Sequence, residues 1–128
     1  MKPDCIILDE ATSMLDPIGR KEVMEVLKKL NREEGITVIH ITHNMDETAV
    51  ADRVIVIENG SVIMDDKPGK VFSNVEKVKE AGLDVPQVTE LFYELNKAGL
   101  NLPEGVLTVD EAVEILKGQI GFGGNKCP

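Results

Sequence analysis

Two short, largely apolar runs, the first of them uninterrupted, enclose one amphipathic segment between Cys5 and Thr42, and this pattern constrains the fold more than any other feature of the chain. The first run, Cys5-Ile6-Ile7-Leu8, stops abruptly at Asp9-Glu10. An apolar run of that length without alternation reads as a strand buried on both faces, as in parallel sheets. Asp16-Pro17 then supplies an N-cap and a preset first helical turn, and Val23, Val26, Leu27 and Leu30 recur at helical spacing until Gly35. The spacing predicts a helix over 17–34. Ile36-Thr37-Val38-Ile39-His40-Ile41-Thr42 reads as a second buried strand. Strand, helix and strand in this order form a unit that takes a right-handed parallel crossover. The fold class expected is α/β, with this unit as half of a doubly wound domain.

The remainder divides by character. Asn44 with Glu47 three residues later has the pattern of a helix start, predicting a short helix through about residue 51. Val54-Ile55-Val56-Ile57 and Ser61-Val62-Ile63-Met64 flank Glu58-Asn59-Gly60, and Asn-Gly between two such runs predicts a β-hairpin. Beyond Pro68 strands stop. Amphipathic helices are expected at about 68–81, 86–98 and 108–117, the middle one with Val88, Leu91, Phe92 and Leu95 on one face. The last opens on Thr108-Val109-Asp110-Glu111, a capping box. The organisation expected is an α/β part over 1–67, a helical appendage over 68–118 and a flexible tail over 119–128, where Gly121-Phe122-Gly123-Gly124 carries no periodicity.

Composition narrows the classes of function. A chain of 128 residues with 42% hydrophobic and 29% charged residues is a globular one, long enough for one domain and an appendage. The net charge of -9 argues against nucleic acid as a partner, since phosphate-backbone binders carry a basic face. No apolar run approaches about 18 residues, and Met1-Lys2-Pro3-Asp4 lacks the pattern of a signal peptide. A cytoplasmic location is expected unless a partner holds the chain at a membrane. Cys5 and Cys127 lack metal-ligand or disulfide-framework spacing and read as free thiols.

Side chains at the carboxyl ends of adjacent parallel strands converge on one crevice, which brings Asp9, Glu10 and His43 into one candidate site. Asp9 is suited to hold magnesium through its waters, because that ion keeps most of its hydration and takes few carboxylates. Glu10 is placed to polarise an attacking water, and His43 to hydrogen-bond that water or a terminal phosphate. Each residue also has a plainer reading. Leu-Asp-Glu is what any buried strand meeting solvent looks like, Asp16 is fully explained as a helix cap, and His40 is given no role. Asp65-Asp66 beside Lys67 reads as a solvated loop rather than a metal site.

Three segments in order carry a resemblance to a known family. Cys5-Ile6-Ile7-Leu8-Asp9-Glu10-Ala11-Thr12-Ser13 resembles the Walker B segment of ATP-binding-cassette (ABC) proteins. Ser13-Met14-Leu15-Asp16-Pro17 resembles their D-loop, and Ile41-Thr42-His43 their switch-histidine loop. Gly19-Arg20 and the run Leu83-Asp84-Val85-Pro86-Gln87-Val88-Thr89-Glu90-Leu91 narrow the likeness to the ATPases of energy-coupling factor transporters, which import vitamins or transition-metal ions such as cobalt or nickel. The resemblance covers roughly residues 3 to 117. It implies a P-loop NTPase fold, of which 1–67 would be the C-terminal part of the nucleotide-binding domain.

By the same resemblance Asp9 serves magnesium, Glu10 is the catalytic base, His43 contacts the γ-phosphate of ATP, and Asp16 lies beside the nucleotide site at the dimer interface. The implied partners are a second ABC ATPase subunit and a transmembrane subunit, which would hold the chain peripherally on the cytoplasmic face of the membrane. The family's phosphate-binding loop, a Gly-rich turn ending in Gly-Lys-Ser/Thr, does not occur within these residues. Nor does its Leu-Ser-Gly-Gly-Gln signature. These 128 residues alone are therefore expected to be inactive, and to self-associate through a strand edge that the phosphate-loop strand covers in the family. The competing expectation is a non-catalytic dimerisation module derived from such an ATPase.

Overall fold

The computed structural model describes residues 3–119, and the chain divides after Glu47 into two compact units. The first contains β1 (Cys5–Asp9), α1 (Pro17–Glu34), β2 (Thr37–Ile41) and the four-residue α2 (Met45–Thr48) at its boundary. α1 starts where the sequence says it should. Asp16 is extended, its carboxylate accepts the Gly19 N–H at 2.8 Å, and Pro17 takes the first helical position. It ends at Gly35, whose φ of 68° is the left-handed conformation that reverses a helix end. Asn31 secures the exit by donating its side-chain amide to the Ile36 carbonyl at 2.8 Å.

β1 and β2 pair in parallel, from Cys5 opposite Thr37 to Asp9 opposite Ile41. The expectation that both faces of these strands are buried needs correction. Ile6, Leu8, Val38 and His40 are half-buried, whereas Cys5, Ile7, Asp9, Thr37, Ile39 and Ile41 are exposed, Ile7 by 66%. The reason is geometric: β1 and β2 are a two-stranded sheet among the described residues, and α1, which lies against β2, can cover one face only.

The second unit opens on an antiparallel hairpin, β3 (Val54–Glu58) and β4 (Ser61–Asp66). Asn59 (φ 50°) and Gly60 (φ 79°) both occupy the left-handed region, the requirement of the two-residue turn whose twist matches its strands. The ladder is irregular where Val56 faces Met64 and Ile57 faces Val62, leaving Ile63 as the extra residue of a bulge. Arg53 grips Asp65 with two donors, Nε to Oδ1 at 2.7 Å and Nη2 to Oδ2 at 2.6 Å. These hydrogen bonds hold the Asp65 carboxyl below its usual range.

The helix expected over about 68–81 is two helices, α3 (Pro68–Ser73) and α4 (Val75–Glu80). Asn74 breaks them apart with φ -91° and ψ 61°. Side-chain competition explains the break: Ser73 Oγ donates to the Gly69 carbonyl at 2.6 Å and Asn74 Nδ2 to that of Lys70 at 3.3 Å. α5 (Gln87–Lys97) and α6 (Val109–Gln119) follow. Thr108 accepts the Glu111 N–H at 3.2 Å, one half of the capping box; Glu111 returns to the Thr108 hydroxyl rather than to its backbone.

Phe92, Leu102, Val106 and Ala112 form a core here, with Val88, Leu95, Ile115 and Leu116 packed against it. Leu91, expected on the same stripe, is instead exposed. The loop between α5 and α6 is fixed by side chains: Asn96 exchanges two hydrogen bonds with the backbone of Leu102, and Thr89 donates to the Val106 carbonyl. Cys127 and residues 120–128 of the expected tail lie outside the described residues. No described helix is long and apolar enough to cross a membrane.

Candidate functional site

The end of β1 is where the backbone departs from ordinary strand geometry. Glu10 has a φ of 54°, a left-handed conformation uncommon for a residue with a side chain, and its N–H donates to the Ile41 carbonyl at 2.8 Å. The parallel ladder thus extends one residue past β1 while the chain turns. Two successive turns follow, Ser13 N–H to the Glu10 carbonyl at 3.2 Å and Leu15 N–H to that of Thr12 at 3.1 Å, which deliver the chain to the Asp16 cap.

At the end of β2 the chain turns through Thr42-His43-Asn44. Thr42 Oγ1 accepts the Asn44 N–H at 3.0 Å, and Asn44 Oδ1 accepts the Asp46 N–H at 3.0 Å, opening α2. His43 is left projecting, with 77% of its side chain exposed, and its Nδ1 lies 3.0 Å from Glu10 Oε1. Two residues 33 positions apart in the sequence therefore meet because parallel pairing in register puts both strand ends on one side.

Glu10, Thr12, Ser13, Arg20, Thr42, His43 and Asn44 line a cavity of about 150 Å³. Arg20 brings α1 into this group: its Nε donates to the Thr12 carbonyl at 3.3 Å. Of the residues singled out from sequence, Glu10 and His43 share this cavity. Asp9 and Asp16 do not line it. Asp9 is exposed beside Ile41, on the open face of the sheet, and Asp16 is engaged with Gly19. The described residues hold no group of three or more metal-ligating side chains.

Three features of the site are not legible in the sequence. Arg20 stands out in the sequence only through the likeness of Gly19-Arg20 to a family pattern, and its approach to Thr12 depends on where α1 lies. Thr12 and Glu47 form the second feature: both are buried, and Thr12 Oγ1 donates to Glu47 Oε1 at 2.5 Å. His40 is the third, with Nε2 3.6 Å from Glu47 Oε2. The signal available in the sequence for His40 is an imidazole within a largely apolar strand run, and only the fold supplies its partner Glu47.

A second cavity, about 260 Å³, lies in the other unit and is lined by α3, α4, α5 and the loop at 103–105. Tyr93 donates its hydroxyl to Glu76 at 2.7 Å there, and Lys97 Nζ stands 5.3 Å from the Tyr93 ring centre.

No family model matches the chain. It is 59% identical over 116 residues to the energy-coupling factor transporter ATP-binding protein EcfA1 of Caldanaerobacter subterraneus subsp. tengcongensis, a match covering 91% of this chain and 42% of that protein. Identity is 55% over 116 residues to the protein of the same name from Clostridium perfringens, with 91% and 41% covered, and 58% over 113 residues to that of Clostridioides difficile, with 88% and 41% covered. The chain spans about two fifths of the length of these relatives. Among solved structures, cbiO1 from Clostridium perfringens, described as part of the ABC transporter complex cbiONQ, superposes with a TM-score of 0.53 at 37% identity, covering 71% of this chain and 37% of that one. In sequence over nine tenths of its length, and in the α/β fold of its described residues, this chain is a relative of the ATP-binding proteins of energy-coupling factor transporters, within the ABC ATPases.

Proposed function

We propose that these residues supply the water-activating side of an ATP site in a transporter ATPase of the energy-coupling factor type. The observation that carries this reading is the Glu10–His43 pair, 3.0 Å apart in the lining of one cavity, with Glu10 in a left-handed backbone conformation. With the proton on His43 Nδ1 donated to Glu10 Oε1, the second carboxylate oxygen is left to take a proton from a water seated in the cavity. A water so oriented is the nucleophile for in-line attack on a terminal phosphate, and His43 stands beside it to contact that phosphate.

In this reading Asp9, exposed on the open face of the sheet and outside the cavity that Glu10 and His43 share, is the residue that would hold magnesium through water. It offers one exposed carboxylate one residue from Glu10, and magnesium needs only one or two carboxylates when phosphates and waters complete its shell. When bound, the ion would neutralise charge on the phosphates. Asp16 is the candidate for contact with the nucleotide or with a facing subunit. The whole protein's partners in this reading are a second ATP-binding subunit and a transmembrane subunit on the cytoplasmic face of the membrane, and the cargo is a vitamin or a metal ion. The 128 residues taken alone are catalytically inactive in this reading, because they hold no phosphate-binding loop.

The test is Glu10→Gln in the complete ATPase. The change removes the base but keeps the shape and the phosphate contacts, so turnover should fall at least about 100-fold with ATP affinity retained. Turnover at the parent level would refute the role of Glu10.

A further inference from the structure

We propose that Glu47 is a positioning residue for the Glu10–His43 pair, its buried carboxylate tying the segment that carries one to the segment that carries the other. Glu47 is 6% exposed, an unusual place for a carboxylate, since burying one costs heavily unless it is bonded. Oε1 accepts the Thr12 hydroxyl at 2.5 Å, and Oε2 faces His40 Nε2 at 3.6 Å. Those last two atoms are buried and have no hydrogen-bond partner of their own among the described residues, so each has the other as its polar neighbour.

The connectivity gives the contact its meaning. Thr12 follows Glu10 by two residues and lines the same cavity. His40 precedes His43 by three and Glu47 follows it by four, so the carboxylate reaches back across the His43 turn as well as over to the Glu10 turn. The sequence pattern assigned Glu47 to capping Asn44, yet Asn44 is served by Thr42 and Asp46, and the Glu47 carboxylate is spent on Thr12. α2 is four residues long and cannot hold itself in place by helix formation. The Glu47–Thr12 bond joins it to the turn after β1 and fixes the distance between two loops whose other shown side-chain bond is the exposed Glu10–His43 contact.

The kinetic part of the test rests on the function proposed above; the structural part does not. In the full chain, nuclear Overhauser contacts between the Glu10 side chain and the His43 ring should be lost in Thr12→Val and Glu47→Ala and kept in Thr12→Ser, with cross-strand contacts between Ile7 and Ile39 unchanged in all three. In the complete ATPase, Thr12→Val and Glu47→Ala should each lower kcat about tenfold or more with KM for ATP changed less than about twofold, and Thr12→Ser should restore kcat. Retention of the Glu10–His43 contact in Thr12→Val overturns the proposal. So does joint loss of the Ile7–Ile39 contacts, which would make the bond a general staple of the unit, and so does normal kcat in Glu47→Ala. If Glu47→Ala does not fold, the near-isosteric Thr12→Val and its Thr12→Ser rescue decide the matter. Glu10→Gln measured in parallel separates the two ideas: unchanged turnover there removes the ATPase reading and leaves the spectroscopic test standing.

Discussion

Asp16 shows how one side chain satisfies a local rule at the start of a helix. Its carboxylate accepts the Gly19 N–H at 2.8 Å and so supplies one of the bonds that the first turn of α1 cannot make internally. Asp16→Ala should therefore lower stability by about 1 kcal/mol, read as an earlier urea midpoint, while Asp16→Asn keeps most of it. An equal loss in both would mean that charge, not the cap, is what the position requires. Glu10 stands in contrast. Its left-handed φ of 54° serves no capping or turn preference of glutamate, and its carboxylate meets a histidine that is largely in solvent. Local energetics do not ask for a glutamate there, and the proposed function places its general base at this position.

Among the elements, the loop from Leu100 to Leu107 is decided by backbone proximity as much as by hydrophobic burial. Gly105 has φ 74°, and a Cβ built on it would lie 2.4 Å from the Gly69 carbonyl oxygen and 2.7 Å from Ser73 Oγ. Backbone cannot move aside as a flexible side chain can. Gly105→Ala should destabilise the second unit by about 1–3 kcal/mol, with the loss seen in thermal melting and in faster amide exchange of Leu102 and Val106. An unchanged melting temperature would show that the loop shifts freely off α3. Gly69 itself is roomier, with its nearest neighbour to such a Cβ at 3.6 Å, so Gly69→Ala is the matched control.

At the scale of the molecule, the two-stranded sheet of the first unit leaves one edge of β2 without a strand partner among the described residues, and leaves Ile7, Ile39 and Ile41 exposed. Open edges and apolar faces recruit partners. The chain should accordingly self-associate, giving a scattering mass above 14.0 kDa at about ten micromolar and higher; a clean monomer at that concentration would count against it. Nucleotide binding belongs to the same scale, because a phosphate cradle is built by segments and not by single carboxylates. Isothermal titration with MgATP should show no binding tighter than about millimolar for these 128 residues. Micromolar affinity would mean that the phosphates have another cradle here, and the proposed inactivity of the chain alone would be wrong.

The sequence by itself determined the elements whose signals are local. Asp16-Pro17 and Gly35 delimit α1, Asn59-Gly60 demands the turn of the hairpin, and Thr108 caps α6, because each of these residues selects a backbone conformation from its own stereochemistry or its nearest neighbours. The strand order and the placing of Glu10 and His43 at adjacent strand ends were also legible, since a β-α-β unit leaves the chain few alternatives. Tertiary structure decided what depends on partners distant in sequence. The apolar runs did not tell that alternate residues of β1 and β2 face outward, because burial depends on what covers a sheet and not on the strand. The division of α3 from α4 was settled by which carbonyls Ser73 and Asn74 reach. His40 and Glu47 read in sequence as a strand residue and a capping residue, and only the fold brought the Thr12 hydroxyl, the half-buried His40 imidazole and the buried Glu47 carboxylate into one cluster.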